Sequence, residues 1–184
     1  MPASRRLRSL RTDELGPNEL SAIRTLLDEA FREDEHGGFG DDDWRHALGG
    51  QHFVLEQAGE IVGHASVVHR ELRIAGRPVR TGYVEAVATS PRLQHTGIGT
   101  AVMTRVNAHI AERYELGALG TGSHAFYERL GWRTWRGPSS VRKRDGERAT
   151  PDEDGYIMVL PIPASPPPDL DAPISCEWRP GDVW

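Results

Sequence analysis

Residues 94–99 read Gln-His-Thr-Gly-Ile-Gly, a spacing suited to holding an anion if a helix begins there. A helix leaves its first four backbone N–H groups without partners and carries a partial positive charge at that end, which favours phosphate or pyrophosphate. Gly97 and Gly99 lack a Cβ, so an anion can approach the backbone closely and the chain can take conformations closed to other residues. The Gln94 amide adds a side-chain donor. Two glycines are equally compatible with an ordinary tight turn. The three-glycine dinucleotide fingerprint and the Gly-Lys-Ser/Thr phosphate loop are both absent from this stretch.

The flanking elements must position that turn. Val84, Ala86 and Ala88 alternate with Tyr83, Glu85, Val87 and Thr89, the period of a strand, and Pro91 ends it. From Gly97 onward Ile98, Ala101, Val102, Val106 and Ile110 recur at helical spacing. A strand therefore feeds a helix through residues 94–99. Earlier in the chain, residues 7–10 read as a first strand, and Asn18 is a candidate cap for a helix over 17–32 with Leu20, Ile23, Leu26, Leu27 and Ala30 on its apolar face. Charges and glycines over 33–40 read as an acidic loop. A short second helix then opens at Asp41 to Asp43 and carries Trp44 and Leu48. Residues 51–56, 61–74 and 79–88 read as three antiparallel strands, with turns at Gly59 and at 75–77.

Beyond the central helix come a strand at 116–119, a helix bearing Phe126, Tyr127 and Leu130 that Gly131 stops, and strands at 132–135 and 156–160. Residues 142–154 read as a charged excursion. The proline-rich stretch from Pro161 to Pro168 cannot be a helix or a central strand and reads as an extended strap. It leads to a tail whose large apolar residues favour packing. The order is α+β, with about seven strands in a mostly antiparallel mixed sheet flanked by helices. No internal repeat is present.

A chain of 184 residues fits a single domain. It holds no apolar run near the ~20 residues a bilayer span requires, and Met1-Pro-Ala-Ser-Arg-Arg lacks the apolar core of a signal peptide, so a cytoplasmic location is expected. Cys176 is the only cysteine, which excludes an intramolecular disulfide and a cysteine zinc cage and leaves a buried small apolar side chain as its reading. His64, His69, His95 and His124 lack metal-ligand spacing with carboxylates and read as surface or satisfied core histidines. The formal net charge of −5 argues against nucleic acid and for a cationic partner. Acidic residues bunch at 33–35, 41–43 and 152–154, with Asp182 near the end.

The Gln94-x-x-Gly97-x-Gly99 loop resembles the pyrophosphate loop of the GCN5-related N-acetyltransferases (GNAT), over about residues 7–160. Glu85 in Gly82-Tyr-Val-Glu-Ala-Val87, the pair Phe126-Tyr127, the acidic Pro151-Asp-Glu-Asp-Gly155 and the closing Trp178-Arg-Pro-Gly-Asp-Val-Trp184 look like the aminoglycoside 2′-N-acetyltransferase group. The resemblance implies a GNAT fold, acetyl-coenzyme A as cofactor, a homodimer, and acetylation of the 2′-amine of an aminoglycoside of the gentamicin and tobramycin type or of kasugamycin, conferring resistance. It implies that Ala86, Val87, Ala88, Gln94, His95, Thr96, Gly97, Ile98, Gly99 and Thr100 hold the cofactor. Glu85 is then the base, Tyr127 the donor to the leaving thiolate, and backbone N–H groups near Val87, freed where a strand bulges, the oxyanion donors.

A polycationic acceptor also needs carboxylates to meet its ammonium groups. Asp34, Asp43, Glu85, Glu153, Asp182 and the terminal carboxylate of Trp184 form the expected set, with Trp44 and Trp184 packing on sugar rings. No metal is expected. Acetylation of a polyamine or a protein amine is the alternative enzyme reading, and a coenzyme A sensor without turnover is the alternative of another class.

Overall fold

The computed structural model describes residues 4–32 and 38–184, and the chain forms two compact units. One is Met1–Val68 with Val84–Val106, the other His69–Tyr83 with Asn107–Trp184.

In the first unit, β1 (Arg5–Arg11) pairs antiparallel with β2 (Gln51–Gln57), which pairs antiparallel with the start of β3 (Glu60–Ile74). The end of β4 (Arg77–Thr89) lies on the other side of β3. Helices α1 (Pro17–Ala30), α2 (Asp41–Ala47) and the first turns of α3 (Ile98–Arg113) complete the unit. The N-cap of α1 is Gly16, not Asn18: Pro17 occupies the first helical position with its φ already set, and the Glu19 carboxylate accepts the Gly16 N–H at 3.0 Å. Ile23, Leu26 and Leu27, three and four residues apart, are buried with Leu15, Val54 and Ala88. Burial of each large aliphatic side chain contributes about 1.5–3 kcal/mol. Gly63 on β3 lets the α3 backbone come close, since a Cβ there would lie 2.6 Å from Ile98 Cγ2 and 3.2 Å from Val102 Cγ2.

The second unit holds the end of β3, the start of β4, β5 (Leu116–Gly120), α4 (His124–Glu128), β6 (Arg133–Thr134), β7 (Ser139–Lys143), β8 (Gly146–Ala149), β9 (Ile157–Pro161) and β10 (Ile174–Glu177). Its strand order is β6-β9-β5-β4-β3-β10-β7-β8. β4 and β5 run parallel, with Thr81 opposite Leu116, as a helical crossover requires. Most other neighbours are antiparallel, and β10 joins β7 in parallel. The core gathers Tyr83, Trp132, Trp135, Ile157 and Met158. Its two indoles are satisfied, Trp132 Nε1 by Asn107 Oδ1 at 3.0 Å and Trp135 Nε1 by the Ala172 carbonyl at 2.9 Å.

The α+β class and mixed sheet match the expectation, but the described residues form ten strands where seven are expected. The excursion over 142–154 contains most of the hairpin β7–β8, whose second strand is exposed throughout and so shows no apolar alternation. The proline strap, after Pro173, yields β10, a four-residue strand too short to announce itself. The tail is packed as expected at Trp184, which is 4% exposed, while Trp178 is exposed.

Candidate active site

Ala86, in the middle of the β4 sequence, has φ 53°. A left-handed alanine inside a strand costs on the order of 1–2 kcal/mol and marks a bulge that something else must hold. The carbonyls on either side of this kink are taken by β3 side chains. His64 Nδ1 lies 2.8 Å from Ala86 O, and Ser66 Oγ lies 3.4 Å from Glu85 O. Just past the strand end, Ser90 N–H donates to Val62 O at 2.9 Å. Glu85, Ala86 and Val87 are all half-buried.

Beyond β4, Pro91–Leu93 forms one 3-10 turn, closed by Leu93 N–H donating to Ser90 O at 2.8 Å. Thr96 Oγ1 donates to Leu93 O at 2.7 Å. His95 and Gly97 take φ of 60° and 85°, and Ala101 N–H donates to Gly97 O. The amides before Ala101 therefore lie ahead of the first intrahelical bond of α3. Nothing lies within 4 Å of a Cβ built on Gly97, so its glycine answers to the backbone angle. Gln94, His95, Thr96, Gly97 and Thr100 are exposed, Gly99 is half-buried, and Ile98 is buried as the hydrophobic anchor of the helix. Arg5 Nη1 donates to Thr96 O at 3.0 Å and Nη2 to Thr96 Oγ1 at 3.3 Å. That guanidinium brings a positive charge to the loop, and nothing in the terminal Arg5-Arg6 pair signals it.

In the second unit, Tyr127 on α4 is 7% exposed, edge-on to Phe126 at 4.9 Å and to Trp132 at 6.0 Å. Burial pushes its phenol up to about 12, so it keeps its proton at neutral pH. Glu153, half-buried in the 3-10 turn Pro151–Glu153, has its pKa raised by burial first and then by Asp182 and Asp152. Two of the expected acidic residues, Glu153 and Asp182, are thus close enough to repel one another. A bound cation would relieve that repulsion.

The Asp182 carboxylate accepts the Trp184 N–H at 3.0 Å, and Arg179 Nε donates to Asp182 O at 2.8 Å. The indole of Trp184 is buried and donates to Thr150 Oγ1 at 3.0 Å. It therefore presents no open face to a sugar. A Cβ on Gly120 would lie 3.6 Å from the Trp184 carbonyl carbon and 3.8 Å from Tyr83 Oη.

Other expected residues have local partners. Asp43 Oδ2 accepts the Gly40 N–H at 2.7 Å at the start of α2. Trp44 packs against the α1 core cluster, with the Arg24 guanidinium 5.9 Å from its ring centroid. Asp34 lies outside the described residues. His69 and His95 are exposed, while His124 lies 2.7 Å from the Gly155 carbonyl. Cys176 is buried and donates to Val183 O at 3.3 Å, its thiol pushed up to about 11 chiefly by burial.

The first unit thus offers a glycine-bearing helix start directly after a kinked strand that carries a carboxylate, and the second unit offers a proton-bearing phenol and an acidic group. Residues 11–135 match the family model for the acetyltransferase (GNAT) domain. The chain is 40% identical over 181 residues to an aminoglycoside 2′-N-acetyltransferase of Mycolicibacterium fortuitum, covering 96% of this chain and 91% of that one. Among solved structures, a GNAT family acetyltransferase from Brucella melitensis in complex with acetyl-CoA superposes with a TM-score of 0.63 at 18% identity, over 94% of this chain and 95% of that one. A GNAT family N-acetyltransferase from Escherichia coli in complex with CoA gives 0.62 at 14% identity, over 95% and 89%. At those identities the likeness is one of fold.

Proposed function

The chain belongs to the GNAT acetyltransferase family, and from that premise we propose that it acetylates the 2′-amine of an aminoglycoside with acetyl-CoA, conferring resistance. The observation that carries the reading is the loop 94–99, with left-handed His95 and Gly97 opening α3 directly after the bulged strand that bears Glu85. Its donor set suits a diphosphate: amides at a helix start, the Gln94 side chain, and Arg5 beside Thr96. Residues 94–100, with the backbone of Ala86, Val87 and Ala88, hold the cofactor. When bound, acetyl-CoA supplies an activated thioester.

Each protein group then has one task. Glu85 accepts a proton from the acceptor ammonium, directly or through water, to give a neutral amine. The Val87 N–H donates to the oxygen on which negative charge develops. Tyr127, whose high pKa keeps it protonated, donates to the departing sulfur. Glu153, Asp182 and Asp43 attract the remaining ammonium groups, with Asp34, Trp44 and the Trp184 main chain completing the acceptor-binding set. Residues 1–184 act as one GNAT domain, since β3, β4 and α3 each supply residues to both units. Among the described residues no helix is long and apolar enough to cross a membrane. We place the enzyme in the cytoplasm as a homodimer, as the resemblance implies.

A thiol-release assay with acetyl-CoA against aminoglycosides with and without a 2′-amine tests the reading. Only compounds bearing that amine are expected to react, and Glu85→Ala is expected to lower kcat about 10²–10⁴-fold with little change in coenzyme A affinity. Equal turnover of sugars lacking the 2′-amine overturns the acceptor assignment.

A further inference from the structure

Beneath the β4 bulge, three polar side chains from three separate segments form one line of hydrogen bonds. Gly49 N–H donates to Thr12 Oγ1 at 2.9 Å. Thr12 Oγ1 lies 2.8 Å from His52 Nε2, His52 Nδ1 lies 2.9 Å from His64 Nε2, and His64 Nδ1 lies 2.8 Å from Ala86 O. Both rings are 0% exposed.

The final acceptor fixes every proton in the line. A carbonyl oxygen only accepts, so His64 Nδ1 carries a hydrogen, and in a neutral ring Nε2 is then an acceptor. His52 must supply the matching donor from Nδ1, which leaves its own Nε2 to accept the Thr12 hydroxyl. Both imidazoles are therefore neutral Nδ1–H tautomers, and all four donors point toward Ala86. Burial lowers the basicity of both rings, and each would repel a charge on the other. A line that ends on a carbonyl has no group there to take up a proton, so it holds a position.

Described residues contain no cis peptide. In a planar trans peptide the carbonyl of one residue and the N–H of the next point in opposite directions. Drawing Ala86 O toward His64 therefore turns the Val87 N–H away from it, toward the opposite side of the strand. We propose that His64, itself set by His52 and Thr12, is a positioning residue that holds the left-handed Ala86 peptide and so aims the Val87 N–H as the oxyanion donor. The assignment rests on the acetyl-transfer reading given above.

The two amide replacements of histidine separate aiming from mere filling. An asparagine amide nitrogen falls near the Nδ1 position and reaches Ala86 O, whereas a glutamine amide falls near Nε2 and reaches only His52. His64→Leu is expected to lower kcat about 100-fold while the coenzyme A dissociation constant stays within about threefold. His64→Asn should recover at least about tenfold of that loss and His64→Gln should not. Recovery by Gln equal to that by Asn, or a kcat for Leu within about threefold of wild type, overturns the proposal.

Should the Leu variant fail to fold, the Asn and Gln pair is compared directly, together with imidazole ¹⁵N shifts of the wild-type protein. A protonated Nδ1 and bare Nε2 on His64 support the tether, and the opposite tautomer overturns it. A wild-type enzyme inert toward every 2′-amino sugar sinks the acetyl-transfer reading itself. An active wild type with an unaffected Leu variant sinks only the tether.

Discussion

Glu85 and the loop 94–99 stand out in sequence because their chemistry is local, a carboxylate in a strand and glycines at a strand-to-helix junction. The histidine line is hidden for the opposite reason. His52 and His64 meet only because β2 and β3 pair with His52 opposite Ser66 and Val54 opposite His64, which sets the two rings diagonally across one face. No spacing along the chain reveals that register. The pair has an acid signature. His52 is held down to about 4 by burial, and His64 is depressed by burial and by its neighbour. In the unfolded chain both rings take up protons near the ordinary histidine value of about 6.5. The unfolded state then binds more protons between those values, so the contribution is complete above about pH 6.5 and is lost as pH falls toward 4. For His52 alone the loss is on the order of 3 kcal/mol. Urea titrations at pH 7 and pH 5 should show a falling midpoint, and a His52→Gln variant should show a smaller difference. Equal differences in both proteins would remove the histidines from the account.

The helices and long strands follow from periodicity, whereas the misread elements are those whose partners lie far along the chain. β8 is an exposed edge and β10 is four residues framed by prolines, so neither carries an amphipathic pattern. Similarly, Gly63 looks like an unremarkable glycine inside β3, yet it is where α3 rests on the strand. An added methyl would press on Ile98 Cγ2 at 2.6 Å and Val102 Cγ2 at 3.2 Å. Since both neighbours are buried β-branched side chains with little rotamer freedom, the helix must shift or the contact must strain. Gly63→Ala is expected to cost about 1–3 kcal/mol in chemical denaturation. Because α3 starts at the loop proposed to hold the diphosphate, a weaker affinity for coenzyme A should accompany it. A variant of unchanged stability and affinity would show that the contact has slack.

Across the molecule, the excess of acidic residues agrees with a polycationic acceptor, and its placement is only partly readable from clusters. Of the acidic bunches, one residue caps α2 and another faces Asp182, as Asp43 and Glu153 show. The tail is structural. Arg70, 3% exposed, donates to the Glu177 carboxylate at 2.9 Å and to the Glu177 carbonyl at 3.0 Å, so removing the tail strands a buried cation. Deleting residues 162–184 also forfeits the burial of Ile174, Cys176 and Trp184, at about 1.5–3 kcal/mol for each large side chain against a total stability of about 5–15 kcal/mol. The truncated protein is expected to lose its cooperative thermal transition and to bind a hydrophobic dye. A sharp transition at the full-length temperature would show that the tail is dispensable.

β10 lies between β3 and β7 in the sheet, although it follows both of them, and β8 and β9, in the chain. During synthesis, β3 and the β7–β8 hairpin therefore leave the ribosome with a strand-wide gap between them, two raw edges waiting for a segment not yet made. Until Glu177 has emerged, those edges are open to any other extended peptide. The insertion of four residues closes that gap and ends the hazard of mispairing.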